Sequence, residues 1–319
     1  MLAIVAQLLL TSAVFAESAE VIKYHNYTKA IEFKDGSTRV VLCPQAGGRV
    51  IEYSRNGKNA LYFADEEKAW KPGAKVPMSA GRFDIGPEQI IPRHPLLWSG
   101  EWSGQITGKQ SARLTSKPDP ATGVQLIRDF KLDKGSRLTI TQTIKNVSKT
   151  RKQWCYWSRT FATGNGTCII PLSDSSRFPN KYVMYEPNGL INMRPVDPKI
   201  KVNDGYLQIT GVPRQPKLGF DSYVGWMAYV TRDNLLFVKR FKTDTNAVYN
   251  EVAGLTISVW YPEDRRVELE PIGPRQQLEP GEQSSFSVEW WLTDFDYQEG
   301  AVNTNDLQKV TKGLFGVSR

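Results

Sequence analysis

Histidine and cysteine are scarce in this chain of 319 residues. The two histidines, His25 and His94, are too few for a site that needs three imidazoles. Three cysteines, Cys43, Cys155 and Cys168, cannot build a disulfide scaffold, and their odd number leaves at least one thiol unpaired. Because no C-x-x-C spacing is present, we expect all three to be buried free thiols.

The motifs of several large enzyme classes are also missing. There is no G-x-G-x-x-G and no Walker loop, so the sequence gives no support for a nucleotide cofactor. There is no H-E-x-x-H of zinc peptidases and no G-x-S-x-G of serine hydrolases. We therefore predict a protein without a cofactor and without a bound metal.

Long apolar runs are limited to the N-terminus, where residues 2–16 carry no charge and end in Val14-Phe15-Ala16. This run is shorter than the roughly 20 residues that span a bilayer, and its small final residues are typical of a secretory signal peptide. No Lys or Arg precedes the run, and a buried N-terminal strand or helix is the alternative. We predict a signal peptide over residues 1–16, export to the periplasm or the medium, and no membrane span in the mature chain.

Positive charge exceeds negative charge, with 41 Lys and Arg against 33 Asp and Glu, a net charge of +8. The basic residues are scattered in small groups, for example Lys149, Arg151 and Lys152, and form no continuous run. Nucleic acid is therefore not the expected partner. For an exported protein, an acidic polysaccharide suits this charge better.

Alternation of apolar and polar residues with a period of two runs through residues 124–132, 136–147 and 286–292. This period is typical of half-buried β-strands. Further β-rich segments lie near residues 37–43, 48–54, 152–161, 223–230, 234–241, 255–261 and 266–271. Because strands do not alternate with long helices, an antiparallel all-β fold is predicted rather than a parallel α/β fold.

Three other stretches complete the predicted organisation. Residues 305–314 have weak helical periodicity, whereas 64–105 and 187–221 are predicted to be long loops. Long loops on an all-β scaffold often build binding sites. We expect a single domain over residues 17–319, with its core between about 21 and 293.

Nine tryptophans are many for this length, and Trp98 and Trp102 fall in the first predicted loop. Sugar rings stack on aromatic side chains, while sugar hydroxyls need charged or amide partners. The loop supplies such partners in Arg82, Asp84, Glu88, Arg93 and His94. The equally weighted alternative is that the loop folds back and buries its tryptophans.

Two predicted strands carry polar side chains on one face. Glu268 and Glu270 share a face, and paired carboxylates can raise each other's pKa and serve acid–base chemistry. For an arbitrary strand, however, two carboxylates that face water are the commoner case. Trp157 and Arg159 also share a face, which suits either the binding of an anion or a structural cation–π pair.

Three segments carry a resemblance to a known superfamily. The first, 44–61, contains Pro-Gln-Ala-Gly-Gly-Arg and then Asn-Gly-Lys-Asn-Ala-Leu; the second, 157–161, is Trp-Ser-Arg-Thr-Phe. The third, 268–292, contains Glu-Leu-Glu-Pro, Leu-Glu-Pro-Gly-Glu and Trp-Trp-Leu. Together, over about residues 21–293, they resemble the galactose mutarotase-like (aldose 1-epimerase-like) superfamily, and most closely a mostly bacterial, exported branch of it.

The resemblance implies an antiparallel β-supersandwich with a sugar-binding cleft. It implies that Glu270 is the general base and that Arg82 and His94 are substrate contacts. Where mutarotases carry a histidine acid, this chain has Arg159. An arginine keeps its proton near neutral pH and cannot serve as a proton-shuttling acid, so Arg159 is expected to clamp an oxyanion or a carboxylate.

We therefore predict an exported carbohydrate-binding protein, and leave open whether it acts on its saccharide as an epimerase-like isomerase or a lyase. The alternative is a non-catalytic sandwich with a structural or partner-binding role. Glu270 and Arg159 are the predicted catalytic residues. The predicted substrate-binding residues are Arg82, Asp84, Glu88, His94, Trp98, Trp102, Trp157 and Glu268. Convergence of Arg82, His94, Arg159 and Glu270 on an open pocket would favour a saccharide site.

The first testable prediction concerns export. If the apolar run is a signal peptide, mass spectrometry of the mature protein should find Glu17, or a residue within a few positions of it, at the N-terminus. Recovery of intact Met1 on cytoplasmic protein would contradict the prediction.

Overall fold

The computed structural model describes residues 18–75 and 77–316, so the predicted signal peptide lies outside the described residues. The strands in this part of the chain are β1 (Glu20–Tyr24), β2 (Tyr27–Asp35), β3 (Thr38–Cys43), β4 (Arg49–Arg55), β5 (Lys58–Asn59), β6 (Gly81–Gly86), β7 (Ser103–Gly108), β8 (Ser111–Thr115), β9 (Val124–Asp133), β10 (Arg137–Asn146), β11 (Lys152–Thr163), β12 (Thr167–Pro171), β13 (Val183–Tyr185), β14 (Ile191–Asn192), β15 (Ile200–Asn203), β16 (Tyr206–Ile209), β17 (Lys217–Phe220), β18 (Trp226–Thr231), β19 (Leu235–Phe241), β20 (Ile257–Glu263), β21 (Arg266–Pro271), β22 (Gln276–Leu278) and β23 (Gln283–Asp294). The helices are α1 (Asp65–Lys68), α2 (Pro95–Trp98) and α3 (Thr304–Gly316), with short 3-10 turns at Pro187–Gly189 and Val252–Gly254.

These strands form two antiparallel sheets. The large sheet follows the order β1-β2-β3-β4-β6-β11-β21-β20-β17-β13-β14, with β5 beside β4 and β22 beside β11. The small sheet follows the order β15-β16-β12-β18-β19-β23-β10-β9-β8-β7. The predicted antiparallel β-supersandwich is thus confirmed.

Buried apolar side chains of both sheets meet in one continuous core. In β9, Val124, Leu126 and Phe130 point into this core while Lys131 is exposed, which is the alternation that the sequence predicts. Helix α3 covers the opposite face of the small sheet, where Leu307 packs into a second apolar cluster. None of the helices in the described residues is long and apolar enough to cross a membrane.

The predicted elements have mixed outcomes. The strands expected from period-two alternation are confirmed as β9, β10 and β23, and the helical tail is confirmed as α3. The three cysteines are buried and free, as expected. The two predicted loops are partly wrong, because 64–105 contains β6 and 187–221 contains β15, β16 and β17. These strands have only four to six residues, and charged residues occupy the outward positions of β6, so the apolar pattern is too short to stand out.

The Gly47-Gly48 turn lets the first long loop pack tightly against β4. Both glycines have positive φ, +73° and +54°, and a Cβ atom on Gly48 would collide with the ring of Trp102. The next residue, Arg49, is buried and bonded to Glu67, so an ion pair anchors the loop from below. Gly47 N–H also donates to the carbonyl of Gly100 at 2.9 Å.

The second prediction tests this close packing. We expect Gly48→Ala to lower the free energy of unfolding, measured by urea denaturation, by about 1–3 kcal/mol more than Gly57→Ala. Gly57 is the matched control because its φ is also positive, +77°, but a Cβ atom there meets nothing within 4 Å. Equal losses of unfolding free energy in the two variants would show that the positive φ angle alone accounts for the destabilisation.

Candidate functional site

Five charged side chains form a cluster on the outer face of the large sheet, where β6, β11, β21, β20 and β17 lie side by side. This charge cluster consists of Arg82, Arg159, Lys217, Glu268 and Glu270. Strand alternation directs the β6, β11 and β21 members outward, because the residues between them on those strands point into the core. The predicted shared face of Glu268 and Glu270 is confirmed.

Both glutamates of the charge cluster are buried, at 0% exposure, so the commoner case of two solvent-facing carboxylates does not apply. Glu268 Oε1 accepts hydrogen bonds from Arg82 Nη2 at 2.5 Å and from Arg159 Nε at 3.1 Å. Glu270 Oε2 accepts from Lys217 Nζ at 2.6 Å. Of the two remaining oxygens, Glu270 Oε1 lies 3.9 Å from Arg159 Nε, and the two carboxyl groups are close enough to share a hydrogen bond when Glu270 is protonated.

The two carboxylates differ in their electrostatic surroundings. Burial raises the pKa of Glu270 to about 7; Lys217 opposes the rise, and the negative charge of Glu268 adds to it. Burial acts on Glu268 in the same sense, but the charges of Arg159 and Arg82 hold the pKa of that carboxyl well below its usual range. Glu268 is therefore ionised at neutral pH, while Glu270 can take up and release a proton. Divergent pKa values in a carboxylate pair suit acid–base chemistry.

Two tryptophan rings hold the cationic side chains in place. Arg159 Cζ lies 4.6 Å from the ring centroid of Trp157 and 5.3 Å from that of Trp98. Arg82 Cζ lies 4.4 Å from the centroid of Trp98, within the range of a cation–π contact. Trp157 is almost fully buried and its indole N–H has no hydrogen-bond partner, whereas Trp98 is partly exposed.

Lys239 supports the charge cluster from the core side of the sheet. It lies on β19 of the small sheet and is fully buried, and its ammonium group donates to Ser158 Oγ at 2.9 Å, Thr160 Oγ1 at 2.9 Å and the Leu269 carbonyl at 2.8 Å. Burial holds the pKa of Lys239 well below its usual range. These bonds tie β11 to β21 directly beneath Arg159.

His94 and Asp84 form a separate pair at the edge of the charge cluster. The Nδ1 of His94 donates to the carbonyl of Pro92 at 2.6 Å, and its Nε2 lies 2.9 Å from Asp84 Oδ1. Burial acts to lower the pKa of His94, but the hydrogen bond and charge of Asp84 outweigh it and raise the pKa. Because both ring nitrogens are engaged, a direct sugar contact through them requires one of these bonds to break.

The remaining predicted residues lie at different depths. Glu88 is half-exposed at the rim, 3.8 Å from Arg159 Nη2. Trp102 is apart from the charge cluster: it is only 2% exposed and packs on Arg128 in the core, so for this residue the alternative of a buried loop tryptophan holds. Trp98, by contrast, remains at the surface of the site.

Sequence reasoning missed two cationic residues. Lys217 lies in the region that was predicted to be a loop, where no signal pointed to it. Lys239 could have been found, because it stands between Phe237 and Phe241 at a position where the period-two pattern of β19 requires a core residue. A lysine at such a position is a sign of a buried polar contact.

The expected convergence is met only in part: Arg82, Arg159 and Glu270 come together and His94 lies beside them, but the carboxylates are covered and do not face an open pocket. The side chains of Arg159 and Lys217 are each 16% exposed and lie over the two glutamates, so a ligand must displace them to reach Glu270. Among residues 18–75 and 77–316, no three His, Cys, Asp or Glu side chains are grouped so that they could hold a metal ion.

Comparison with known proteins identifies the fold. No protein-family model matches the chain, and neither does any curated protein. Among solved structures, the chain is similar to the Slr1438 protein from Synechocystis sp. PCC 6803, with 18% identity, a TM-score of 0.59, and coverage of 86% of this chain and 99% of that one.

Two further structures carry mutarotase names. A galactose mutarotase-like protein from Lactobacillus casei matches at 9% identity and a TM-score of 0.57, covering 83% of this chain and all of that one (100%). A galactose mutarotase related enzyme from Lactobacillus acidophilus matches at 11% identity and a TM-score of 0.52, with coverage of 86% and 100%. At these identities the similarity establishes the fold, and activity has to be argued from the site.

The third prediction concerns the protonation of Glu270. Its pKa is raised from 4.5 to about 7 in the folded protein, so between these values the folded state holds a proton that the unfolded state has released. The contribution of Glu270 to the free energy of unfolding therefore falls as the pH rises from 4.5 to about 7. The Glu270→Gln variant has no titrating group at this position and so lacks this loss. We therefore expect the difference in free energy of unfolding, variant minus wild type, to increase between pH 4.5 and pH 7 by an amount on the order of 1–3 kcal/mol.

Urea denaturation at several pH values measures this difference. Glu66→Gln is the matched control, because Glu66 is exposed and lies outside the charge cluster. The difference in free energy of unfolding between Glu66→Gln and wild type should stay constant between pH 4.5 and pH 7. A pH-independent difference for Glu270→Gln would show that Glu270 is already ionised at pH 4.5.

Proposed function

We propose that this chain, which has the galactose mutarotase-like fold, binds an acidic saccharide at the charge cluster. The observation that carries the proposal is the position of Arg159. Its guanidinium group lies between two tryptophan rings, reaches both buried glutamates and is still partly exposed. Planar guanidinium groups of this kind bind carboxylates and sulfates well, because they offer several donors in a fixed geometry.

The chemistry of recognition follows from the exposed parts of the site. An acidic group on the sugar would pair with Arg159 and Lys217, the two cations that lie over the glutamates. The apolar face of the sugar ring would stack on Trp98, the partly exposed tryptophan of the site. The net charge of +8 also favours encounter with an anionic glycan.

Interconversion of anomers is the reaction that suits Glu270 best. In such a reaction the ionised carboxylate takes the proton of the anomeric hydroxyl, the bond from C1 to the ring oxygen breaks, and a second group gives a proton to that oxygen. Ring closure on the other face reverses these transfers, so no proton is gained or lost overall. A base with a pKa of about 7 is well matched to neutral pH. Arg159 cannot give the second proton, whereas the ammonium group of Lys217, which a ligand must first displace from Glu270, carries protons that it can donate.

A second candidate function is a non-catalytic sandwich with a structural or partner-binding role. The observation in its favour is that both glutamates are fully buried and bound by cations of the protein itself. In that case the charge cluster would join strands and bind no ligand. We also propose that the protein acts after export, on the strength of its N-terminal apolar run.

The fourth prediction separates these functions. In a screen of uronates and sulfated glycans, Arg159→Ala should weaken binding of any glycan that binds the wild type by about 2–5 kcal/mol, which is enough to make it undetectable. Arg113→Ala is the matched control, because Arg113 is an exposed arginine paired with Asp129 on the small sheet, and it should bind like the wild type. Binding is measured by calorimetry, with unfolding followed in parallel.

Turnover is tested on the glycans that bind. Glu270→Gln should retain binding and lose the acceleration of anomer exchange, which NMR exchange spectroscopy detects. If Arg159→Ala and Glu270→Ala both leave glycan binding intact, the charge cluster is not the binding site and the structural role is favoured.

A further inference from the structure

We infer that a cavity beside Trp98 is a second saccharide subsite, so that the ligand is an acidic oligosaccharide and not a single sugar. This inference rests on the proposed function and extends it to the length of the substrate. The cavity has a volume of about 690 Å³, which lies within the range of small-molecule sites. Its walls include Trp70, Lys75, Arg93 and Trp98.

Two tryptophans line this cavity: Trp98 is partly exposed, whereas Trp70 is only 9% exposed and presents no more than an edge of its ring. Trp70 is held by stacking on Tyr27, with ring centroids 4.9 Å apart and an interplanar angle of 24°. The ring of Trp98 is held by an edge contact with His94, with ring centroids 6.2 Å apart, and by Arg82, whose Cζ lies 4.4 Å from its centroid. Aromatic side chains that are already fixed bind an apolar sugar face at little cost in conformational entropy.

The rim of the cavity carries a net positive charge. Arg93 and Lys75 are exposed, and neither forms an ion pair within the described residues. The acidic lining residue, Glu101, is neutralised by Lys29, whose ammonium group is 2.9 Å away. The cavity therefore offers two free cations and no free carboxylate to an incoming ligand, which favours a sugar that carries an acidic group.

The cavity and the charge cluster share Trp98. The ring that forms a wall of the cavity also lies 4.4 Å from Arg82 Cζ and 5.3 Å from Arg159 Cζ. A chain of sugars that crosses Trp98 would therefore contact Arg159 at one end, and Arg93 and Lys75 at the other. A polyuronate has this repeat of charge, because each sugar unit carries a carboxylate.

The experiment compares galacturonate with its linear tetramer by calorimetry at fixed ionic strength. We expect the wild type to bind the tetramer at least about tenfold more tightly than the monomer. The double variant Lys75→Gln/Arg93→Gln should lose most of that gain, while its affinity for the monomer stays unchanged. Lys134→Gln/Lys149→Gln is the charge-matched control, because both lysines are exposed outside the cavity, and it should keep the full gain.

The possible outcomes separate this inference from the proposed function. If the monomer binds in an Arg159-dependent manner and the tetramer binds no more tightly, the second subsite is wrong and the proposed function stands. If the gain is lost equally in both double variants, it comes from net charge and the subsite is also wrong. If neither sugar binds the wild type, the proposed function and this inference fail together.

Discussion

The outer face of the large sheet depends on the pairing of one buried carboxylate, that of Glu268. Removing a carboxylate from water costs several kcal/mol, and this cost is offset only by well-placed opposite charges. Arg82 from β6 and Arg159 from β11 supply those charges at 2.5 and 3.1 Å. Because β11 is the neighbour of both β6 and β21, the ion pairs and the strand order support each other. Glu270 lies two residues further along the same strand. Its burial is offset less well, because within the described part of the chain its carboxylate accepts a hydrogen bond from Lys217 only.

The placement of Trp98 follows from a second buried ion pair. Arg49 and Glu67 are bonded to each other beneath the first long loop, and both are almost fully buried. Gly47, two residues before Arg49, provides the close approach that lets the chain around Gly100 pack over β4. The loop is thus held against the sheet, and the ring of Trp98 is brought over Arg82 and Arg159. The Gly-Gly-Arg motif therefore acts on the site through the backbone and makes no contact with the charge cluster.

The sequence predicted the parts of this site that a local pattern controls. Alternation in β11 and β21 was enough to put Trp157 with Arg159, and Glu268 with Glu270, on common faces. It could not predict that the glutamates are buried, because burial depends on Lys217 from a distant short strand and on the loop that carries Trp98. Trp98 and Trp102 looked equivalent in the sequence, and the close contacts of Trp102 with Gly48 and Arg128 separate them.

Two unpaired hydrogen-bond donors at the site favour the proposed binding function over a purely structural cluster. A cluster that only joined strands would gain most from carboxylates with every oxygen paired, or from apolar residues, which often stabilise a protein as well as a buried ion pair does. Here the Nε of Arg82 and the indole N–H of Trp157 are buried without a hydrogen-bond partner. Unpaired buried groups reduce stability by about 1–3 kcal/mol each. In the proposed saccharide complex, a hydroxyl group that reached these two donors after Arg159 and Lys217 had moved aside would accept their hydrogen bonds and recover that free energy.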